Sequence, residues 1–434
     1  MTAKLLRTLS HLDLTALGIN GVIGAGIFVL PATVAHLVGK AGPLAYLFSG
    51  MVVFLIALCF AEAAGFFATS GGPYLYAREA FGPFVGFQTG WITWLVRATS
   101  TGAVSHAFAI YMGYLWPPAT QGPIQALILS TVLVSLMLIN LVGVGYAAWL
   151  VNLFTLGKLL PLGIFVLAGI FHLQAKNLLP FVWGSAGRFG EAALLLIFAF
   201  GGFEILTIPA EEARRPQQDI PKAILATMTV VTITYVLIQI VAAGTFANLA
   251  ESKTPLASAC AQFLGPWGGM LITLGALIST TGTNSGLMLV GPRLTYALAQ
   301  HGQLPSLFGK VDSRWHTPVF SILFYGIVSL GLTVSGTFIQ LAGLSAIARL
   351  LQYTITCLAL LKLRKESRHR FQTPLAKAVP YLGVLLCVWL LLQSSFTQLL
   401  LSAGAVCLGC LLYVPNLLDS KRKRRAEAPA EPPG

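Results

Sequence analysis

The chain has 434 residues, 56% of them hydrophobic and 9% charged, with a mean hydropathy of +0.79, whereas a soluble domain carries about 25% charged residues. This balance excludes a water-soluble globular protein and points to a polytopic membrane protein built from spans of about 20 apolar residues. The net charge of +13 does not point to nucleic acid, because the lysines and arginines are dispersed over short loops.

Twelve spans are predicted in chain order, near 13–37, 43–69, 84–113, 124–142, 147–171, 190–209, 222–246, 268–299, 318–334, 337–361, 377–393 and 397–415. The first is too long for a removable signal peptide and lacks a small-residue cleavage site, so it is expected to stay. With the N-terminus inside, 20 of the 27 lysines and arginines fall on the cytoplasmic side, four outside (Lys40, Lys176, Arg188, Lys253) and three within spans (Arg97, Lys158, Arg349). That excess obeys the positive-inside rule and puts both termini in the cytoplasm. With no targeting peptide evident and compact loops, a plasma (inner) membrane of prokaryotic type is expected.

Two spans are interrupted by glycine: Gly21-Val22-Ile23-Gly24-Ala25-Gly26-Ile27-Phe28 in the first and Phe198-Ala199-Phe200-Gly201-Gly202-Phe203-Glu204 in the sixth. Backbone groups in lipid must be satisfied within their own segment, so a helix breaks at bilayer depth only beside protein or a watery cavity. Matched breaks in two successive halves are the mark of an inverted-repeat secondary transporter with its substrate near the midplane. Close helix packing through small residues would explain the spacing. It would not explain two breaks each followed within a few residues by proline, Pro31 and Pro209. Gly21, Gly24 and Gly26 are not spaced as a dinucleotide-binding fingerprint, and no strand precedes them.

The organisation follows from the breaks. Residues 13–175 form a first five-helix repeat, 190–363 an inverted second repeat, 377–415 two further helices, and 416–434 a basic, disordered cytoplasmic tail. An odd number of spans makes the second repeat enter the membrane from the opposite side. The run Lys421-Arg422-Lys423-Arg424-Arg425 either binds anionic lipid headgroups or only pins the C-terminus inside. The Ala/Glu/Pro-rich remainder to Gly434 has nothing to bury. The six cysteines show no metal-ligand spacing, so neither metal nor disulfide is expected.

The breaks carry their own chemistry. A half-helix starting after the first break presents free N–H groups and a positive dipole end, which favour a carboxylate. Ala25 and Gly26 are the expected donors, since their small side chains let an anion reach the backbone. Unpaired carbonyls of Val22, and of Phe198 with Gly201, are expected to accept from an α-ammonium group, while Ala199 and Gly201 leave room for a side chain. A zwitterion fits, so an α-amino acid is the expected ligand. No acidic residue is evident for a cationic side chain, which favours neutral amino acids. Arg97, were it to face the pocket, would instead receive an acidic substrate.

Lys158, inside the fifth span, is the sharpest single signal. An ionised lysine at mid-bilayer costs about 2.5–3.5 kcal/mol even on the lenient scale, so such residues mark function. A desolvated amine also gives up its proton more readily than one in water. Glu62 and Glu204 are the other intramembrane acids, each a candidate partner for Arg97 because buried charges need compensation. His106 reads as a hydrogen-bonded core residue rather than a proton relay.

Taken together, several strings resemble one family. They are Gly18 to Pro31 in the first span, Gly71-Gly72-Pro73-Tyr74 after Ser70 and then Ala77-Arg78-Glu79-Ala80-Phe81-Gly82, and Phe200-Gly201-Gly202-Phe203-Glu204 in the sixth. Pro292 to Ala299, Gly302-Gln303-Leu304-Pro305, Thr317-Pro318 and Leu344 to Leu350 extend them in the same order. In this the chain resembles the amino acid-polyamine-organocation (APC) permeases over nearly all its length to about residue 365. The resemblance implies an all-α fold of 12 transmembrane helices, a leucine-transporter-like 5+5 inverted repeat plus two C-terminal helices, working by alternating access on amino acids or related amines. It implies that Phe198 is an aromatic gate over the substrate and that Glu204 takes part in proton handling. It implies further that Lys158 stands where sodium-coupled relatives hold a cation, facing the carbonyls of Asn20 and Ile23 and the hydroxyl of Ser279, with Thr283 one turn on. The reading is therefore a proton-coupled amino acid symporter with no cofactor beyond the proton. The alternatives are an exchanger on the same fold and a non-transporting sensor, which loses ground because only about twenty residues follow the last span. No nucleophile, metal cluster or phosphate loop supports an enzyme, and oligomeric state is left open.

Overall fold

The computed structural model describes residues 9–69, 71–142, 148–180, 185–207, 210–366 and 377–427. Ser70, Pro209, residues 181–184 of the polar connection and 428–434 of the tail lie outside the described residues, as do the side chains of the basic run Lys421–Arg425. No strand forms among the described residues, where one isolated bridge pairs Leu9 with Ala213.

Ser10 and Asp13 start the first helix by a reciprocal cap, Ser10 Oγ accepting from Asp13 N and the Asp13 carboxylate accepting from Ser10 N. This α1 (His11–Val22) stops where Ile23 becomes extended, and Gly24 and Ala25 lead into α2 (Gly26–Val38). There follow α3 (Gly42–Phe66), α4 (Gly72–Phe81), α5 (Pro83–Leu115), α6 (Gly122–Val142), α7 (Ala148–Gly169) and the single turn α8 (Ala175–Leu178). The second half holds α9 (Ala186–Phe200), a 3-10 segment (Phe203–Thr207), α10 (Pro216–Thr245), α11 (Pro255–Gln300), α12 (Val319–Ser335), α13 (Phe338–Glu366), α14 (Val379–Leu391) and α15 (Phe396–Glu427).

Eight stretches among the described residues are long and apolar enough to cross a membrane, from Gly26–Phe66 to Phe396–Val414, and α12 and α14 are shorter apolar helices. The protein is a multi-pass membrane protein. α11 begins well before the span expected near 268 and turns at Gly265, whose φ of 66° suits glycine. α15 continues through the basic run to Glu427, and the remainder of the Ala/Glu/Pro-rich segment lies outside the described residues. Lysine and arginine are good helix formers and prolong a helix already nucleated in its apolar part.

The two interrupted segments lie at the centre. α2 buries every residue from Gly26 to Ala32, and α9 every residue from Ala192 to Phe200. A helix apolar on all faces is a buried helix. Around this pair α3 packs on α10, α5 on α11 and α13, α7 on α11, α1 on α10, α9 on α3, and α6 on α12. Exposed Leu167, Phe171, Phe396 and Leu411 belong to the outer surface, where lipid replaces water as solvent.

Candidate functional site

The two breaks meet face to face. A Cβ on Gly26 would come 2.7 Å from Ala199 Cα, and one on Gly202 would come 2.5 Å from Gly21 O. Gly202 also has φ 128°, a conformation that disfavours any side chain. Glycine is thus needed twice over at the crossing. α2 opens there with Ala25 as its N-cap and no capping side chain, so its first N–H groups have no partner within the helix. On the other side Tyr235 Oη of α10 reaches both breaks, 3.2 Å from Val22 O and 3.3 Å from Ala199 O. A single hydroxyl proton can serve only one of these carbonyls at a time.

All six residues named for substrate contact, Val22, Ala25, Gly26, Phe198, Ala199 and Gly201, line one cavity of about 50 Å³ between the breaks. It is smaller than the roughly 300 Å³ at which small-molecule sites begin. Thr283, Ile205, Gly21 and Arg97 line both this cavity and a neighbouring one of about 280 Å³ that also reaches Asn20, Phe154 and Lys158. The Phe198 ring stands edge-on to Phe338, centroids 5.9 Å apart.

Lys158 is buried, and its Nζ donates to Asn20 O and Ile23 O, each at 2.9 Å. These are carbonyls that the end of α1 leaves without helical partners. The other two residues named for this site are not bonded to it. Ser279 Oγ is buried with no hydrogen-bond partner among the described residues, and Thr283 Oγ1 donates to Ser279 O within α11.

At the second break the Glu204 carboxylate accepts from Gly202 N at 2.9 Å and from Tyr353 Oη at 3.3 Å, and forms an ion pair with Arg349 of α13. Gly201 leaves the space that this guanidinium fills, since a Cβ there would lie 2.5 Å from Arg349 Nε. Arg349 Nη2 also reaches Ser100 Oγ at 3.4 Å. Glu62 is held instead by Arg364, with Nε and Nη2 at 2.5 and 2.7 Å from its two oxygens. The expectation that either acid pairs with Arg97 is therefore corrected: each has an arginine of α13 closer to hand. His106 Nε2 lies 2.9 Å from Thr333 O in the core. Tyr235 escaped the sequence reading because a tyrosine in an apolar run carries no signal of what its hydroxyl meets. Arg349 stood out as a charge within a span, but its partner did not.

The described residues form a helical, multi-pass membrane protein whose polar groups converge on two opposed helix breaks, and its family match places it among the permeases. The amino acid permease family model matches residues 9–407, and the chain belongs to that family. It is 28% identical over 430 residues to the methylthioribose transporter of Bacillus subtilis, covering 94% of this chain and 93% of that one. It is 27% identical over 432 residues to the branched-chain amino acid permease BcaP of the same organism, with the same coverage of 94% and 93%. To the vacuolar cationic amino acid transporter 2 of Arabidopsis thaliana it is 30% identical over 389 residues, 83% of this chain and 60% of that one.

Proposed function

We propose that the protein is a secondary active transporter that moves amino acids by alternating access, coupled to protons through Lys158, in the plasma membrane with both termini cytoplasmic. The observation that carries this is the Lys158 ammonium bridging Asn20 O and Ile23 O at the end of α1, beside the cavity that the substrate would use. Loss of the proton would take the charge out of both hydrogen bonds, weakening the hold on the two carbonyls and easing movement of α1 against α7. Substrate would bind with its α-carboxylate on the N–H groups of Ala25 and Gly26 and its ammonium on the carbonyls of Val22, Phe198 and Gly201, with Phe198 closing over it. The relatives' names support a small polar solute, two of three being amino acid carriers. Glu204 enters as the anchor of the second break, its carboxylate already engaged by three donors.

The packing supports the 5+5 inverted repeat with two added helices. Numbering the broken pairs as spans one and six, exchange of each span with the one five places later turns one observed contact into another. α1 on α10 becomes α9 on α3, and α5 on α13 becomes α11 on α7, while α3 on α10, α5 on α11 and α6 on α12 map onto themselves. A transporter of this design can also run as an exchanger if Lys158 keeps its proton throughout. Uptake of labelled amino acids into proteoliposomes, with and without an inward proton gradient and with and without internal amino acid, separates the two. Accumulation that needs the gradient alone is expected; uptake that needs preloading assigns exchange, and no uptake under any condition overturns the transport reading.

A further inference from the structure

The charges around the two cavities do not cancel. Arg97 and Arg349 both line the small cavity, and Glu204 alone opposes them. Glu204 is engaged directly by Arg349, so Arg97 feels it only through space. Arg97 is 5% exposed, its side chain makes no hydrogen bond or ion pair among the described residues, and its Nε is buried and without an acceptor. Lys158, in the adjoining cavity, is positive or neutral and so offsets neither arginine. The remaining titratable neighbours, Tyr325 and Tyr353, supply no counter-charge while protonated.

A buried guanidinium with no partner is costly, and nature tolerates it where a ligand completes it. A zwitterion cannot do so, because its carboxylate and ammonium are matched by the opposed helix ends and its net charge is zero. We propose that Arg97 receives an anionic group on the substrate's side chain, so that the transported amino acid is acidic, an aspartate or a glutamate. The proposal rests on the reading of this site as an amino acid transport site and narrows its substrate class. The geometry fits: Arg97 lines both cavities, so a side chain leaving the breaks for the larger one passes its guanidinium. The planar fork of arginine suits a carboxylate bidentately. This replaces the neutral preference, because Arg97 lines both cavities.

The test measures uptake and ligand-induced thermal stabilisation with glutamate, glutamine, leucine and arginine, on the wild type, Arg97→Gln and Arg97→Lys. Glutamate is expected to be carried and to stabilise the wild type. Arg97→Gln is expected to weaken glutamate binding about 10- to 100-fold while changing glutamine binding less than about 3-fold, and Arg97→Lys to restore part of the loss. A wild type that carries glutamine, leucine or arginine and ignores glutamate overturns the acidic assignment and leaves amino acid transport standing. One that neither binds nor carries any of the four overturns both. Should Arg97→Gln not fold, competition by glutamate against glutamine on the wild type decides alone: preference for glutamate supports the assignment and preference for glutamine removes it.

Discussion

The two helix breaks pose the same backbone problem and meet it with opposite charges. At the first, carbonyls left open by the end of α1 are met directly by the Lys158 ammonium from α7. At the second, the N–H of Gly202 is met by the Glu204 carboxylate, which is paired in turn with Arg349 from α13. In the proposed inverted repeat α7 and α13 are equivalent helices, so each half sends a cation toward its own break. The difference lies in the chemistry of the cation. A lysine can surrender its proton when desolvated, whereas a guanidinium cannot in a protein. In the proposed coupling the first break is the one released and the second the one held.

The largest expected effect is on the releasable side. Lys158→Ala should lower proton-driven accumulation on the order of 100-fold and leave the remaining uptake insensitive to external pH, with exchange of preloaded amino acid persisting. Accumulation that survives with its pH dependence intact would remove Lys158 from the coupling and make the two breaks alike.

On the held side the expected loss is of stability. Glu204→Gln strips Arg349 of its counter-charge and leaves two buried arginines unopposed, a cost of about 3–5 kcal/mol that thermal unfolding in detergent would register as a marked fall in Tm. An unchanged Tm would mean that the pair does not hold the break. Gly202→Ala should cost about 1–3 kcal/mol for the backbone alone. Its Cβ would also lie 2.5 Å from Gly21 O, so uptake should fall along with stability as the crossing is forced apart. The smallest effect belongs to the residue that touches both breaks: Tyr235→Phe removes one shared hydrogen bond, about 1 kcal/mol, and should raise KM several-fold with little change in Tm. A large fall in Tm instead would recast Tyr235 as a strut rather than a contact that yields to substrate.

Much of this was legible in the residues. Glycine clusters inside apolar spans located both breaks, and all six residues named from them line one cavity. Lys158 was conspicuous because a charge in lipid is rare, and the resemblance named the two carbonyls it meets. The resemblance also implies Ser279 and Thr283 at this place, yet neither hydroxyl bonds Lys158, since a shared motif fixes a face but not which neighbour a short side chain reaches.

By itself the sequence determined the membrane class and the two places where helices break, because apolar length, charge and glycine act locally along the chain. The tertiary structure alone decided who pairs with whom. Glu204 and Glu62 went to arginines of α13 instead of to Arg97, and Tyr235 came to rest across both breaks. Those outcomes depend on which helices lie side by side, and the long separation in sequence between partners such as Glu204 and Arg349 leaves no local trace of it. The unpaired state of Arg97, on which the proposed substrate class rests, is a property of the assembled cavity and of nothing smaller.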